Sequence, residues 1–403
     1  MKYAKQYIRS AEIIIGLYDG SMPLAAFLRN YFASQKKFGS KDRKHIAHLC
    51  YCYFRLGHAC LHLPVGKRMK IALFLCDDAP GVWADAFETP CLGHWGGILA
   101  ERARYVQSTE PSFSMTGVFP WQEELSETID FTGFAMAHFI QPSLFLRLRP
   151  GNEERVTEKL EEAGIAFRLL GNNCVALTNA SKIDATITID KEAVVQDYNS
   201  QRIGEMLQLV GERLLSATSQ TLPVTIWDCC AASGGKSMLA KDLLKNTDLT
   251  VSDIRPSILH NLEQRFLRAG IHSYHAFTAD LASGRQAIQA KKYQLIICDV
   301  PCSGSGTWSR TPEQLYYFEK EQIDRYASLQ RKIVTTAQQS LEEGGYLLYI
   351  TCSVFKKENE EQVFFIQENF KLELVAMELL KGYDRKADSM FAALFKKQAL
   401  RAG

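Results

Sequence analysis

No stretch of this 403-residue chain is apolar over anything near the ~18 residues needed to span a bilayer. Its start, Met1-Lys2-Tyr3-Ala4-Lys5-Gln6, lacks the apolar core of a signal peptide, so a cytoplasmic location is expected. Cysteine is not scarce. The eleven present are spaced irregularly through a long chain, which argues for reduced thiols and against a disulfide framework. Net charge is only +2, and that small figure hides an asymmetry. Residues 1–75 carry thirteen Lys and Arg against three Asp and Glu, or +10, which leaves −8 on the rest. A basic end of this kind is the electrostatic footprint of a polyanion partner, with a solvated helical surface as the plainer alternative. The length exceeds the ~250–300 residues at which single cores stop growing, so two or three domains are expected.

Residues 2 to about 80 read as helices. Tyr7, Ala11, Ile14 and Ile15 repeat at helical spacing, Pro23 opens a second segment, and Ser40 is placed to cap a third that holds Ile46, Leu49 and Tyr53. Lys36, Lys37, Lys41, Arg43 and Lys44 cluster around that cap, where basic side chains and helix amides suit phosphates. Cys50, Cys52, His58 and Cys60 lack the spacing of a paired ligand knuckle, so no metal site is expected. Residues 81–140 hold Trp83, Trp95 and Trp121 among scattered Gly and Pro, without an interpretable motif.

From Pro142 the pattern changes to β-α-β-β: a strand at 144–149, a charged helix from Glu153 to Ala163, and a hairpin around Asn172-Asn173. Arg147 and Arg149 share one face of their strand, either to meet phosphate or to be solvated. Val195 to Gln201 leads into a helix through Met206, Leu207 and Val210. Beyond Thr221, strands at 224–227, 249–252, 274–278, 295–298 and 346–350 alternate with helical segments at 236–245, 256–269 and 312–341. Such alternation predicts a doubly wound, mostly parallel α/β sheet.

Ligands of such sheets sit outside the carboxyl ends of the strands. The turn Asp228-Cys229-Cys230-Ala231-Ala232-Ser233-Gly234-Gly235-Lys236 follows the first of them, and its glycines and helix amides favour an anionic group. A P-loop NTPase is one reading, since Gly235-Lys236-Ser237 mimics the end of that motif, but the motif requires glycine where this chain has Cys230. The carboxylate of S-adenosylmethionine is the other anion. Asp253 is then placed for ribose hydroxyls, Asp280 for adenine, and Asp299 follows as a third acid at a strand end. Asp299-Val300-Pro301-Cys302-Ser303-Gly304 puts an acid and a thiol beyond one strand, and Thr351-Cys352-Ser353 puts a second thiol beyond another. If those strands are neighbours, their ends lie roughly 5 Å apart and both thiols flank one cavity. A thiolate that attacks carbon 6 of cytosine gives carbon 5 the enamine character needed to take a methyl group, which suits two cysteines, an acid and a methyl donor.

At these motifs the last 200 residues resemble the Sun/Fmu (RsmB-like) family of S-adenosylmethionine-dependent RNA cytosine-5 methyltransferases, with Glu358-Asn359-Glu360 and the tail 388–396 also matching. The amino end is similar to NusB-like helical domains, with Ser40-Lys41-Asp42-Arg43 as the best local match. The resemblance implies a class I, Rossmann-like methyltransferase domain over 196–403, a small α+β domain over 136–195 and an all-α RNA-binding domain over 1–135. It implies Cys352 as nucleophile, Cys302 in product release, Asp299 on the cytosine ring and Lys236 near donor or base. It also implies cofactor contacts from Cys230, Ala231, Ala232, Ser233, Gly234, Gly235, Lys236, Asp253, Asp280 and Asp299. RNA, ribosomal rather than transfer RNA, is the expected partner of a monomer without metal or membrane. The sequence departs from the family pattern at Ser233, where proline is usual, at Ile258, where arginine is usual and Arg255 is a candidate substitute, and at Ser309-Arg310. A catalytically silent RNA-binding module and a methyltransferase acting on protein or small molecules remain as further alternatives.

Overall fold

In the computed structural model, which describes residues 3–171, 173–217, 222–244, 246–283 and 291–398, the run Leu295-Ile296-Ile297-Cys298 is fully buried on both faces. Continuous β-prone apolar residues of this kind belong at the centre of a parallel sheet. Strands of the chain are β1 Leu144–Leu148, β2 Phe167–Leu170, β3 Cys174–Leu177, β4 Ala193–Val195, β5 Val224–Asp228, β6 Thr247–Asp253, β7 His275–Thr278, β8 Tyr293–Asp299, β9 Leu341–Thr351, β10 Leu372–Leu380 and β11 Met390–Lys397. Seven of them form one sheet in the order β10-β11-β9-β8-β5-β6-β7. The five strands β9, β8, β5, β6 and β7 run parallel, and β11 pairs antiparallel with both β9 and β10. Chain order reverses between β5 and β8, the switch point at which such sheets open a crevice.

Side chains alternate across this sheet. Ile226, Ile297, Leu348 and Ile350 enter one apolar cluster with the helices Tyr198–Ala217, Gly235–Leu244 and Pro256–Ala269. Trp227, Ile296, Cys298, Leu347 and Tyr349 enter the opposite cluster, with Ile333 and Val334 of helix Glu321–Ala337 and Val363 and Ile366 of helix Glu360–Asn369. Two buried faces are what a doubly wound sheet requires. The second sheet, order β2-β3-β1-β4, is antiparallel through β1, β3 and β2, with Val156 and Leu160 of helix Glu153–Glu162 against Leu146, Leu148 and Val175. Asn172 of the expected hairpin, Thr221 and Lys245 lie outside the described residues.

The chain divides into two compact units. One comprises residues 1–125, 129–141 and 307–320, the other 126–128, 142–306 and 321–403, so the small sheet belongs to the same unit as the large one. The helical segment expected over 312–341 is therefore two helices, Pro312–Tyr317 and Glu321–Ala337, which belong to different units. Phe318 takes extended backbone after the first and packs on Trp121 and Trp308, with ring centroids 5.1 and 4.8 Å away.

In the helical unit, helices Tyr3–Leu17, Leu24–Ser34, Ser40–Arg55 and Val65–Cys76 bury the expected apolar stripe. The third is capped differently from expectation: Gly39 occupies the cap, Ser40 is the first helical residue, and the Asp42 carboxylate accepts the Gly39 N–H at 2.9 Å. Asp42 also accepts the Tyr7 hydroxyl at 2.7 Å. Residues 81–140 supply aromatic core, with Trp83, Trp95 and Trp121 all buried. Two members of the basic excess are internal. Arg55 donates to the carbonyls of His138 and Ile140, and Arg68 to those of Ala59 and Gly57. Lys36, Lys37, Lys41 and Lys44 are exposed. The four residues weighed as a metal knuckle do not converge, since His58 meets the Leu315 carbonyl and Cys60 the Ser112 hydroxyl. No described helix is long and apolar enough to cross a membrane.

Candidate active site

β8 and β9 are parallel neighbours with Asp299 opposite Ile350, so the loops that follow them start side by side. The sulfurs of Cys302 and Cys352 lie 3.3 Å apart, both partly exposed. Their contact pushes the Cys302 thiol well up, with burial adding to the effect. A protonated Cys302 thiol has the Cys352 sulfur within reach of its hydrogen.

The loops are fixed by a buried carboxylate to which the sequence assigned no role. Glu358 is fully buried. Its Oε2 accepts the Ser303 N–H at 2.9 Å and the Gln330 amide at 2.9 Å, and its Oε1 accepts the Ser353 hydroxyl at 2.7 Å. Ser303 and Ser353 are the residues that directly follow the two cysteines. Gln330 also reaches the Pro301 carbonyl at 3.0 Å, and the Tyr349 hydroxyl donates to the Glu358 carbonyl at 2.7 Å. Asn359 accepts the Thr351 hydroxyl and donates to the Ser353 carbonyl. Burial raises the proton affinity of Glu358 against these donors. Nothing in the sequence singles out Gln330, a polar residue in mid-helix, whereas Glu358-Asn359-Glu360 stands out as a motif whose purpose only the fold reveals. Gly306 donates to the Cys352 carbonyl at 2.9 Å, and a Cβ there would lie 2.1 Å from the Ser389 carbonyl oxygen, so the motif needs glycine at that position.

Beyond β5, the turn brings a second group of expected residues together. Lys236 Nζ lies 3.1 Å from Asp299 Oδ2 and donates to the Ser200 hydroxyl at 2.8 Å. Asp253, nearly buried, accepts the Ala232 N–H at 3.1 Å and pairs with Arg255 at 3.1 Å. The Ala231 N–H goes to the Ser252 carbonyl. Ser233, through its carbonyl and hydroxyl, accepts from Arg265. Ala232 and Gly234 have positive φ, and a Cβ on Gly234 would meet the Phe266 ring at 2.6 Å. Cys230 packs against Cys229, and that contact with burial pushes its thiol well up, which suits an inert wall residue. Gly235 begins the helix. Asp280 stands two residues beyond β7. Its carboxylate accepts the Ala282 N–H at 3.0 Å, and the adjacent Ala279 N–H reaches the Asp253 carbonyl. Under the turn, Asp228 is fully buried, with Oδ2 accepting the Ser237 hydroxyl at 2.6 Å and Oδ1 without a partner. Burial pushes its carboxyl up to about 7.

Arg147 and Arg149 do share a face, but they are neither solvated nor free for phosphate. Asp242 takes both, at 2.6 and 2.7 Å.

Residues 217–397 match the family described as 16S rRNA methyltransferase RsmB/F. The probable ribosomal RNA small subunit methyltransferase B of Bacillus subtilis is 26% identical over 257 residues, 61% of this chain and 55% of that protein. The chain thus spans about half the length of that relative. The mouse tRNA (cytosine(72)-C(5))-methyltransferase NSUN6 is 32% identical over 36% of this chain and 32% of its own. Among solved structures, PH0851 superposes over 98% of both chains with a TM-score of 0.67 at 17% identity. Pyrococcus horikoshii NSun6 covers 69% of this chain and 97% of its own, with a TM-score of 0.56 at 14% identity. These two share the fold. The stretch from 217 to 397 that matches this family holds both thiol loops and the entire glycine turn.

Proposed function

We propose that this protein methylates carbon 5 of cytosine in RNA, ribosomal RNA being the substrate class, through a transient bond between Cys352 and carbon 6. The observation that carries the reading is the pair of sulfurs 3.3 Å apart at the carboxyl ends of β8 and β9. The relatives support it: one is named for ribosomal RNA and another for carbon 5 of a tRNA cytosine. S-adenosylmethionine is supported by acids at neighbouring strand ends, Asp253 of β6 and Asp280 just beyond β7, and by the orphaned Asp228 Oδ1 beneath the turn. Ala231 to Lys236, Asp253 and Asp280 would hold that cofactor, which when bound supplies an electrophilic methyl group.

The chain's own residues do the rest. Cys352 adds to carbon 6 as the thiolate, and carbon 5 becomes the nucleophile. Asp299, steadied by Lys236, supports the proton at ring nitrogen 3. Once carbon 5 carries its new substituent, loss of its proton to a base re-forms the ring double bond and expels Cys352. The Cys302 thiol donates to the departing sulfur and stabilises it. A target cytosine inside a helix must first be unstacked, at a cost of a few kcal/mol, so a loop or an exposed assembly intermediate is the better substrate.

Two measurements test this reading. Mapping 5-methylcytosine in RNA from cells with and without the gene should show the loss of specific positions, and an unchanged map would overturn it. Lys36, Lys37, Lys41 and Lys44 are an exposed cluster within the basic end and dock RNA. Replacing all four with alanine should reduce the magnitude of the salt slope of RNA binding by roughly 1 to 3, and an identical slope would remove that role.

A further inference from the structure

We propose that His48, Cys52 and Asp77 in the helical unit form a zinc site. The first two lie one turn apart on helix Ser40–Arg55, and Asp77 caps helix Val65–Cys76. His48 Nε2 is 3.5 Å from Cys52 Sγ. Zinc–sulfur and zinc–nitrogen bonds of ~2.3 and ~2.05 Å at a tetrahedral angle put these atoms about 3.6 Å apart, so the pair already has the spacing of two ligands. One oxygen of Asp77 joins them, and all three ligand atoms lie within 4.8 Å of one another. One His, one Cys and one carboxylate is a borderline-soft set that suits zinc over magnesium or calcium.

The surroundings are those of ligands held in orientation. Asp77 Oδ2 accepts the Trp83 indole N–H at 3.2 Å, and the Asp77 carbonyl accepts that of Trp95 at 2.7 Å. Cys52 is buried, while the His48 side chain is 40% exposed and gives an ion a route from solvent. The contact between His48 Nε2 and Asp77 Oδ1, 2.7 Å, is a hydrogen-bond length, about 0.6 Å shorter than two such ligands keep on one zinc. Zinc replaces the proton shared there and opens that contact. The three ligands come from one helix and the cap of its neighbour, so an ion there ties the two helices together, with water completing the tetrahedron. Cys52 was one of four residues weighed as a knuckle in the sequence. Its partner Asp77 comes from the cap of a neighbouring helix, and no linear spacing announces it.

The full-length protein, purified without chelator or metal-affinity resin, should contain about one equivalent of zinc by elemental analysis. After zinc is stripped, Co2+ should produce a thiolate-to-metal charge-transfer band and the intense visible bands of a tetrahedral centre. A His48→Ala/Cys52→Ala variant should lose both signals, while Cys60→Ala retains them, and Asp77→Asn should hold zinc at least tenfold more weakly against a competing chelator. Less than a tenth of an equivalent together with no cobalt band in the wild-type protein overturns the proposal. So does equal zinc in the double variant, which would mark an adventitious ion. If the double variant does not fold, the wild-type cobalt spectrum and the Asp77→Asn affinity decide. The site is independent of methyl transfer, and its failure leaves that reading untouched.

Discussion

Two pairs of cysteine sulfurs in this molecule lie 3.3 Å apart, Cys302 with Cys352 and Cys229 with Cys298. The first pair stands on loops beyond two parallel strands, partly exposed, with Lys236 and Asp299 paired on the same end of the sheet and a carboxylate holding the residue after each thiol. The second is sealed in the apolar cluster around Trp227, Tyr293 and Ile296. Proximity of two thiols is therefore not a site. Access and polar support make it one, because a thiolate needs stabilisation that an apolar cluster withholds.

The comparison is broken most sharply by alanine substitution. Cys352→Ala should reduce methyl transfer by at least about 10³-fold, since no other group takes over a covalent step. Cys298→Ala should leave the rate within about threefold and cost roughly 1–2 kcal/mol of stability by denaturant melt, the price of a small cavity. Equal losses in the two variants would erase the distinction. Alkylation sharpens it. In the native protein, iodoacetamide should label Cys302 and Cys352 at least about a hundredfold faster than Cys229 and Cys298, with the difference vanishing in denaturant. Peptide mapping by mass spectrometry reads this directly.

The carboxylate behind the exposed pair gives a smaller effect. All three groups around the Glu358 carboxylate are donors, so in Glu358→Gln an amide NH2 must face one of them. The loops should loosen, with kcat reduced about 10- to 100-fold, KM for RNA nearly constant and stability lower by about 1–3 kcal/mol. Parallel loss of RNA binding would point to a general structural fault. Least visible in activity is Asp228, the residue before Cys229. In the fold it keeps its proton to about pH 7, and in the unfolded chain only to about 4. The native state thus binds the extra proton between those values, so this residue's contribution falls as pH rises from 4 through 7, by a few kcal/mol in order of magnitude. In Asp228→Asn that part of the pH dependence should be absent from stability curves, and an unchanged slope would contradict it.

Much of this was legible in the chain. Four of the five parallel strands announce themselves by an apolar run that ends in Asp or Thr-Cys, with the exposed β7 as the exception, and the adjacency of β8 and β9 puts their two cysteines together as expected. The hairpin of β10 and β11 was not legible. Met390 to Phe395 is buried throughout, but its partner Leu372–Leu380 is broken by exposed residues and a register shift, so no periodicity reveals it. Nor was the break at Phe318, which serves an aromatic cluster distant in sequence. Charge misleads in the same way. Arg55, Arg68, Arg147 and Arg149 read as surface charge, yet three are buried and all four bond to partners inside the fold. Sequence composition counts a cation but not its partner.

The central claim is that Cys352 bonds to a cytosine and that Cys302 lets it go. Incubating Cys302→Ala with unmodified RNA and S-adenosylmethionine, then analysing the product by denaturing gel and mass spectrometry, tests both halves together. A protein–RNA conjugate attached at Cys352 should accumulate, and it should be absent from Cys302→Ala/Cys352→Ala. No conjugate in the presence of labelled RNA product, or a conjugate at any other residue, would contradict the account.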